Sequence, residues 1–222
     1  MKNITLIIPA KYEKESLPSV LLELKKYQLK TIVILESTDF ETIDSIKNFN
    51  CSIVHQINKG YGNALILGIK SVKTEYFCIF NADGSFNPIE ISGMYSSLKD
   101  KEADIIFGSR YEKNATSEDD TLVTKVGNFI FTKLGKILFK LPITDILYTF
   151  VLGKTKVALD LNLQSQDFAF CVELPIKAQR KNYKIFSTSA HERARIAGKK
   201  KVNAIRDGLY ILKKMIFMFL KN

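Results

Sequence analysis

No stretch of this 222-residue sequence approaches the ~18–20 consecutive apolar residues that a helix needs to cross a bilayer. The longest apolar run near the end, Met215 to Leu220, is a fraction of that length. The opening Met-Lys-Asn-Ile-Thr-Leu-Ile-Ile-Pro-Ala has neither a long apolar core nor a small-residue cleavage site, so no secretory signal peptide is expected. Cysteine is scarce and odd in number. Cys51, Cys78 and Cys171 lie far apart and form no C-x-x-C pair, which excludes a disulfide scaffold and predicts buried thiols in a reducing cytoplasm. Histidine is limited to His55 and His191, distant from each other and from any cysteine partner that could complete a zinc motif. No serine sits in a G-x-S-x-G elbow, so a hydrolase triad has no support. The P-loop signature is absent, and the one G-x-G lacks the third glycine of the dinucleotide fingerprint.

What is present is an ordinary globular mixture, 46% hydrophobic and 25% charged. It suffices for one large domain, or one domain with an appendage. The formal net charge is +10, and the segment from His191 to Asn222 carries +7 of it, with nine basic and two acidic residues. A polyanion is therefore the expected partner at the C-terminal end, in the form of nucleic acid, anionic lipid or a phosphorylated substrate. Aromatics do not interleave with these cations in the manner of an RNP surface, which ranks nucleic acid last.

Short apolar runs at 4–8, 31–35, 51–56, 76–80 and 103–107 read as strands. Amphipathic stretches at 15–27, 39–49, 62–72 and from Pro88 to about residue 98 read as helices between them. This alternation predicts an α/β fold with a doubly wound, mostly parallel sheet. Downstream, 122–141, 169–180 and 204–220 read as helices, 184–188 as a strand, and the polar, basic stretch 187–201 as a flexible segment. In such sheets ligands lie beyond the carboxyl ends of the strands, and the polar motifs fall there.

Each motif admits two readings. Asn81 and Asp83 could converge on one hard divalent cation that bridges a diphosphate, or simply cap the strand end as an Asx-turn. Gly60-Tyr61-Gly62 could admit a ligand to the backbone at a helix N-terminus, or be a plain loop-to-helix junction. Glu13 and Glu36 could accept hydrogen bonds from a nucleobase or ribose, or remain solvated. Arg110 could grip a phosphate with its fork, or form a surface ion pair of little worth. Arg195 to Lys201 could be a phosphate clamp or a solvated basic loop. In the last helix Ile205, Leu209, Leu212, Ile216 and Phe219 form a stripe, with Arg206, Lys213 and Lys214 off it. Such a helix could lie in a membrane surface or pack on the domain.

Taken in order, the motifs resemble those of the family 2 glycosyltransferases of GT-A fold, in particular the dolichyl- and polyprenyl-phosphate branch. Ile7-Ile8-Pro9-Ala10-Lys11-Tyr12-Glu13 is similar to the family's I-I-P-A-Y-N-E, and Asn58-Lys59-Gly60-Tyr61-Gly62-Asn63-Ala64 with Gly68 to its N-x-G-x-G-x-A…G. Phe80-Asn81-Ala82-Asp83-Gly84-Ser85-Phe86-Asn87-Pro88 resembles the D-A-D-G-S-x-x-P metal motif, and Gly108-Ser109-Arg110 the G-S-R. Asn128, Asp145, Phe168 and Glu173 fall where the family has N, D and F-x-x-x-E, and Arg195-x-x-Gly198-x-Lys200-Lys201 resembles R-x-x-G-x-S-K. Departures are Leu35-Glu36-Ser37-Thr38-Asp39 for D-D-G-S-T-D, Asn81 for the first aspartate, and Tyr148-Thr149-Phe150-Val151 for S-G-F-R.

The resemblance implies a GT-A domain over residues 1–202, with 203–222 as a basic amphipathic helix. It implies inverting transfer of a sugar from a nucleotide donor to polyprenyl phosphate, peripherally on the cytoplasmic face of a membrane. Donor binding falls to Pro9, Ala10, Glu13, Glu36, Lys59, Gly60, Gly62, Asn81 and Ala82. Asp83, Asn81 and Ser85 would hold Mg²⁺ or Mn²⁺, Asp83 and Arg110 would be catalytic, and Arg110, Arg195, Lys200 and Lys201 would grip the acceptor phosphate. The Q-x-x-R-W motif of processive synthases is excluded by the absence of tryptophan. The departures support a second expectation: a GT-A domain that binds a nucleotide or partner without transfer.

Overall fold

The computed structural model describes residues 3–198 and 203–221. The expected alternation is realised as β1 (Ile4–Pro9), α1 (Leu17–Leu24), β2 (Lys30–Glu36), α2 (Phe40–Ile46), β3 (Ser52–Gln56), α3 (Tyr61–Ser71), β4 (Tyr76–Ile79), α4 (Glu90–Asp100) and β5 (Ile105–Ser109). Beyond it come β6 (Thr116–Ser117), α5 (Leu122–Phe139), β7 (Val151–Lys154), α6 (Thr155–Asp160), α7 (Phe170–Arg180), β8 (Ile185–Ser189), β9 (His191–Glu192) and α8 (Ala204–Leu220). Pro88 lies in the turn before α4 rather than at its first helical position.

The main sheet has the order β3-β2-β1-β4-β7-β5-β8. Every pairing is parallel except those of β7, which runs antiparallel between β4 and β5. The inner strands β1, β2, β4, β5 and β7 are apolar on both faces because both faces are covered, while the edge strands β3 and β8 are partly exposed. Along β1, Ile7 enters the core beneath α3, α5, α7 and α8, while Leu6 and Ile8 enter the one beneath α1 and α4. The parallel strands deliver residues 10–13, 36–39, 57–60, 80–85 and 108–112 to one edge. Cys78 and Cys171 are buried, Cys51 is half-buried, and burial raises the pKa of all three thiols.

One expectation needs correction. The 187–201 stretch was expected to be flexible, but residues 187–189 complete β8 and 191–192 form β9, which pairs with β6. Residues 199–201 lie outside the described residues. In α8 the packed face is Ile211, Met215 and Met218. The stripe read from spacing is a different face, on which Ile205, Leu209, Ile216 and Phe219 are exposed and Leu212 is half-buried.

Candidate donor and acceptor site

The strand-end turn after β4 organises the site. The Ser85 N–H donates to Asp83 Oδ1 at 3.0 Å, and the Asn81 amide donates to Ser85 Oγ at 3.1 Å. This is the Asx-turn reading, and it leaves Asp83 Oδ2 for another partner. That partner is Arg195, whose Nη1 lies 3.4 Å away while its Nη2 donates to Asp119 at 2.8 Å. Hydrogen bonding to Asp119, first among the causes, raises the Arg195 pKa despite burial. Around Arg195 the chain forms a strap docked on the turn. Ile196 N–H donates to the Asp83 carbonyl and Arg193 N–H to that of Ser85, both at 2.8 Å. The Arg193 guanidinium grips both carboxylate oxygens of Glu23 at 3.0 Å. Gly84, at φ +83°, makes room: a Cβ there would lie 2.5 Å from the Ile196 side chain.

Arg110 departs from expectation. Its Nε and Nη2 donate to the two oxygens of Asp145 at 2.8 and 3.0 Å, and its Nη1 lies 3.3 Å from Glu192 and 3.9 Å from Asp120. Its guanidinium also stacks over the Tyr148 ring, 4.7 Å from the centroid. Burial alone would lower its pKa, but the bonds to Asp145 and the charge of Glu192 outweigh that and raise it. In this arrangement the guanidinium is committed to three carboxylates rather than presented to a phosphate. It ties the end of β5 to the segment around Asp145, to β9 and to the acidic run 118–120.

The residues expected to receive a donor come together at the carboxyl edge. Pro9 closes β1, and the buried Ala10 donates its N–H to the Ile34 carbonyl at 2.8 Å. Tyr12 and Glu13 donate their N–H groups to Asp39 and Thr42 at the start of α2, at 2.7 and 3.0 Å. The Glu13 carboxylate accepts from the Ser16 hydroxyl at 2.7 Å. Glu36 sits between Lys11 at 3.3 Å and Lys59 at 3.7 Å, joining three loops. Ala82 is buried beneath the turn.

Gly60 and Gly62 are explained by the chain itself. A Cβ on Gly60 would meet the Gln166 carbonyl oxygen at 2.2 Å, and one on Gly62 the Ser165 carbonyl oxygen at 2.1 Å. The close approach expected of a ligand is made here by residues 165–167. Gly62→Ala should therefore cost about 1–3 kcal/mol through overpacking against backbone that cannot rotate away, which urea unfolding would measure. Lys200 and Lys201 lie outside the described residues.

Three neighbours of Arg110 and Arg195 carry no motif in the sequence: Asp119, Asp120 and Glu192. The run Glu118-Asp119-Asp120 is the acidic counterpart of the basic strap. Its local acidity was visible, but its pairing with Arg195 spans 76 residues.

Among the described residues no group of three or more His, Cys, Asp or Glu side chains could hold a metal ion. The oxygens of Asp83, Asn81 and Ser85 are hard donors of the type Mg²⁺ and Mn²⁺ take, with one negative charge between them. Mg²⁺ commonly binds through one or two carboxylates and completes its shell with water and substrate phosphates. The donor set therefore fits a cation whose shell a diphosphate completes.

Residues 5–161 match the profile of Glycosyl transferase family 2. An uncharacterized glycosyltransferase of Mycobacterium tuberculosis is 26% identical over 208 residues, covering 94% of this chain and 93% of its own. A UDP-N-acetylglucosamine–dolichyl-phosphate N-acetylglucosaminyltransferase of Methanococcus voltae is 26% identical over 209 residues, covering 83% of each. Among solved structures, glucosyl-3-phosphoglycerate synthase of M. tuberculosis with UDP superposes with a TM-score of 0.78 at 13% identity, over 98% of this chain and 80% of that one. Mannosyl-3-phosphoglycerate synthase of Rubrobacter xylanophilus gives 0.77 at 10% identity, over 99% and 74%. At these identities the likeness establishes the fold, a mixed, mostly parallel sheet flanked by helices. The profile covers more than half of the chain, its polar motifs stand at the carboxyl edge of that sheet, and the chain belongs to glycosyl transferase family 2.

Proposed function

We propose that this glycosyltransferase moves a sugar, with inversion at the anomeric carbon, from a nucleoside-diphosphate donor to polyprenyl phosphate at the cytoplasmic face of a membrane. The observation that carries the proposal is the contact between Arg195 and Asp83 at 3.4 Å. It places the strap's cation directly beside the carboxylate of the strand-end turn. Transfer to a phosphate needs two anions side by side, the leaving diphosphate and the attacking phosphate, held in line.

A phosphate monoester has a second pKa of about 6 and is largely ionised near neutral pH, so it attacks without a protein base. Positioning and positive charge are what the chain must supply. Arg195, paired in the structure with Asp83 and Asp119, would exchange Asp83 for the acceptor phosphate, together with Lys200 and Lys201, and so release the Asp83 carboxylate for a cation. Asp83, Asn81 and Ser85 would hold Mg²⁺ or Mn²⁺, which when bound offsets the charge growing on the leaving diphosphate. Glu13 and Glu36, the latter flanked by Lys11 and Lys59, would receive the nucleoside. Arg110 is assigned a positioning role through Asp120 and Glu192. The name of the M. voltae relative specifies a dolichyl phosphate acceptor, which supports a lipid phosphate here. A solved structure of the M. tuberculosis synthase holds Mn²⁺, UDP and glucosyl-3-phosphoglycerate, which makes phosphoglycerate the acceptor to test against it.

The test incubates the full chain with radiolabelled nucleotide sugars, Mn²⁺ and a short-chain polyprenyl phosphate. Labelled glycolipid is expected, and Asp83→Ala should reduce its rate about 100-fold, or ~2.7 kcal/mol. Undiminished transfer by that variant would remove Asp83 from the site. Transfer to phosphoglycerate alone would overturn the acceptor. Nucleotide binding with no transfer to either would favour the binding-only reading raised by Asn81, by Glu36 in place of the aspartate pair, and by Val151.

A further inference from the structure

Helices α5 and α8 have unusual charge for surface elements. Residues 122–139 contain Lys125, Lys133 and Lys136 and no acid. In α8 the one acid, Asp207, is 3% exposed and bonded to the Asn203 N–H and the Arg206 side chain. The exposed charges of both helices are therefore all positive.

The helices lie side by side. Phe131 reaches within 3.9 Å of where a Gly208 Cβ would stand, and the Phe139 and Phe219 rings meet edge to face at 6.2 Å. Their inner sides are occupied: Asn128, Thr132 and Gly135 of α5 and Ile211, Met215 and Met218 of α8 are buried. Beside the seam, turned outward, α5 presents Val123, Val126, Ile130 and Ile137. On the matching side of α8 stand Ile205, Leu209, Ile216 and Leu220. At 3.6 residues per turn each set occupies about 60° of arc. All eight are between 48% and 79% exposed. Scattered apolar residues on a surface are ordinary, but a contiguous patch with a polar rim marks an interaction site. The rim carries cations on both flanks, with exposed Lys133 and Lys136 on α5, Lys140 just beyond its end, and Arg206 and Lys213 on α8, interleaved with exposed Phe129 and Phe217.

We infer that the outward face of α5 and α8 is a docking surface for an anionic lipid bilayer. Charge complementarity selects this occupant. A second copy packed symmetrically on the face would oppose lysine to lysine without an exposed acid between them, whereas anionic headgroups match the rim while the apolar seam enters the acyl boundary. Among the described residues no helix is long and apolar enough to cross a membrane, so the contact lies in the interface plane. Both helices follow the segments that meet at the site: Asp119 is three residues before α5, and Arg195 nine before α8. The docking surface deepens the proposed lipid-phosphate acceptor by giving it a bilayer, yet its geometry stands apart from sugar transfer.

Cosedimentation of the full chain with vesicles of phosphatidylcholine plus phosphatidylglycerol, against phosphatidylcholine alone, is the test. Binding should favour the anionic vesicles at least about tenfold and weaken with added salt. The double variant Ile137→Ser/Leu209→Ser should lose about tenfold in vesicle affinity with an unchanged thermal midpoint, since both side chains face solvent. Its transfer to a short-chain, water-soluble polyprenyl phosphate should match that of the parent chain, so failure of the transfer reading and failure of docking are separate results. No cosedimentation, or binding unchanged in the double variant, would overturn the inference. A dimer in size exclusion that the double variant dissociates would also overturn it, by assigning the face to a second copy.

Discussion

Arg110→Ala should lower the unfolding free energy by about 3–5 kcal/mol, the range for removing one partner of a buried ion pair. Asp145 is fully buried and gives both oxygens to the Arg110 fork, while Glu192 and Asp120 are less than 10% exposed at the side chain. Truncation leaves three carboxylates facing one another without their common cation. The cost follows from stranding those charges rather than from the net worth of the pair. Arg110→Lys should recover only part of it, because an ammonium keeps the charge but cannot make two parallel bonds to one carboxylate. Because Glu192 leads directly into the strap, hydrogen exchange at residues 191–198 should accelerate in the alanine variant. Chemical unfolding of the parent and both variants checks the prediction. A stability change within about 0.5 kcal/mol, the ordinary range for a surface substitution, would return Arg110 to the phosphate-binding role read from its motif.

Five of the six parallel strands, β1 to β5, were legible because each is a short β-branched or apolar run bounded by polar turns, and in β1, β2, β4 and β5 burial on both faces leaves a nearly unbroken apolar run. β7 was not. Residues 151–154 are four, include a glycine, and begin where the family pattern has an arginine, so the sequence there signals a lost side chain and no strand. At the site, Asn81, Asp83 and Ser85 were legible because their geometry is local. The strap and its acidic partners meet across 76 residues, and no periodicity records such a pairing. Gly60 and Gly62 show another limit. Glycine signals that something approaches closely, but not whether a ligand or residues 165–167 of the same chain do so. α8 shows a third, because three- and four-residue spacing describes both Ile205-Leu209-Ile216 and Ile211-Met215-Met218. Only neighbours on α5 and α7 decide which stripe is packed.

Glu173 is expected to make the stability of the fold depend on acid pH. Its side chain is fully buried, with Lys177 at 2.9 Å, Lys214 at 3.3 Å, and the Ser165 and Gln164 N–H groups donating at 2.6 and 3.0 Å. Burial on its own would raise the pKa. The Lys177 bond and the two backbone donors outweigh it and hold the carboxyl at about 2, against an ordinary 4.5. A folded-state pKa below the unfolded one favours the native state above pH 4.5, and that contribution is lost as pH falls towards 2. The difference corresponds to ~3 kcal/mol. Glu173→Gln should therefore be less stable by about that amount at neutral pH, and its stability should fall less steeply between pH 5 and 2 than that of the parent chain. The consequence reaches the proposed donor side, since Glu173 orders the segment whose Ser165 and Gln166 carbonyls rest on Gly62 and Gly60. Loosening that segment frees the N-terminus of α3, so the variant should show a raised KM for the nucleotide sugar with a smaller change in kcat. Parallel pH–stability curves for the two proteins would show that the carboxylate contributes no such term. An unchanged KM would show that the 164–167 segment holds its place without it.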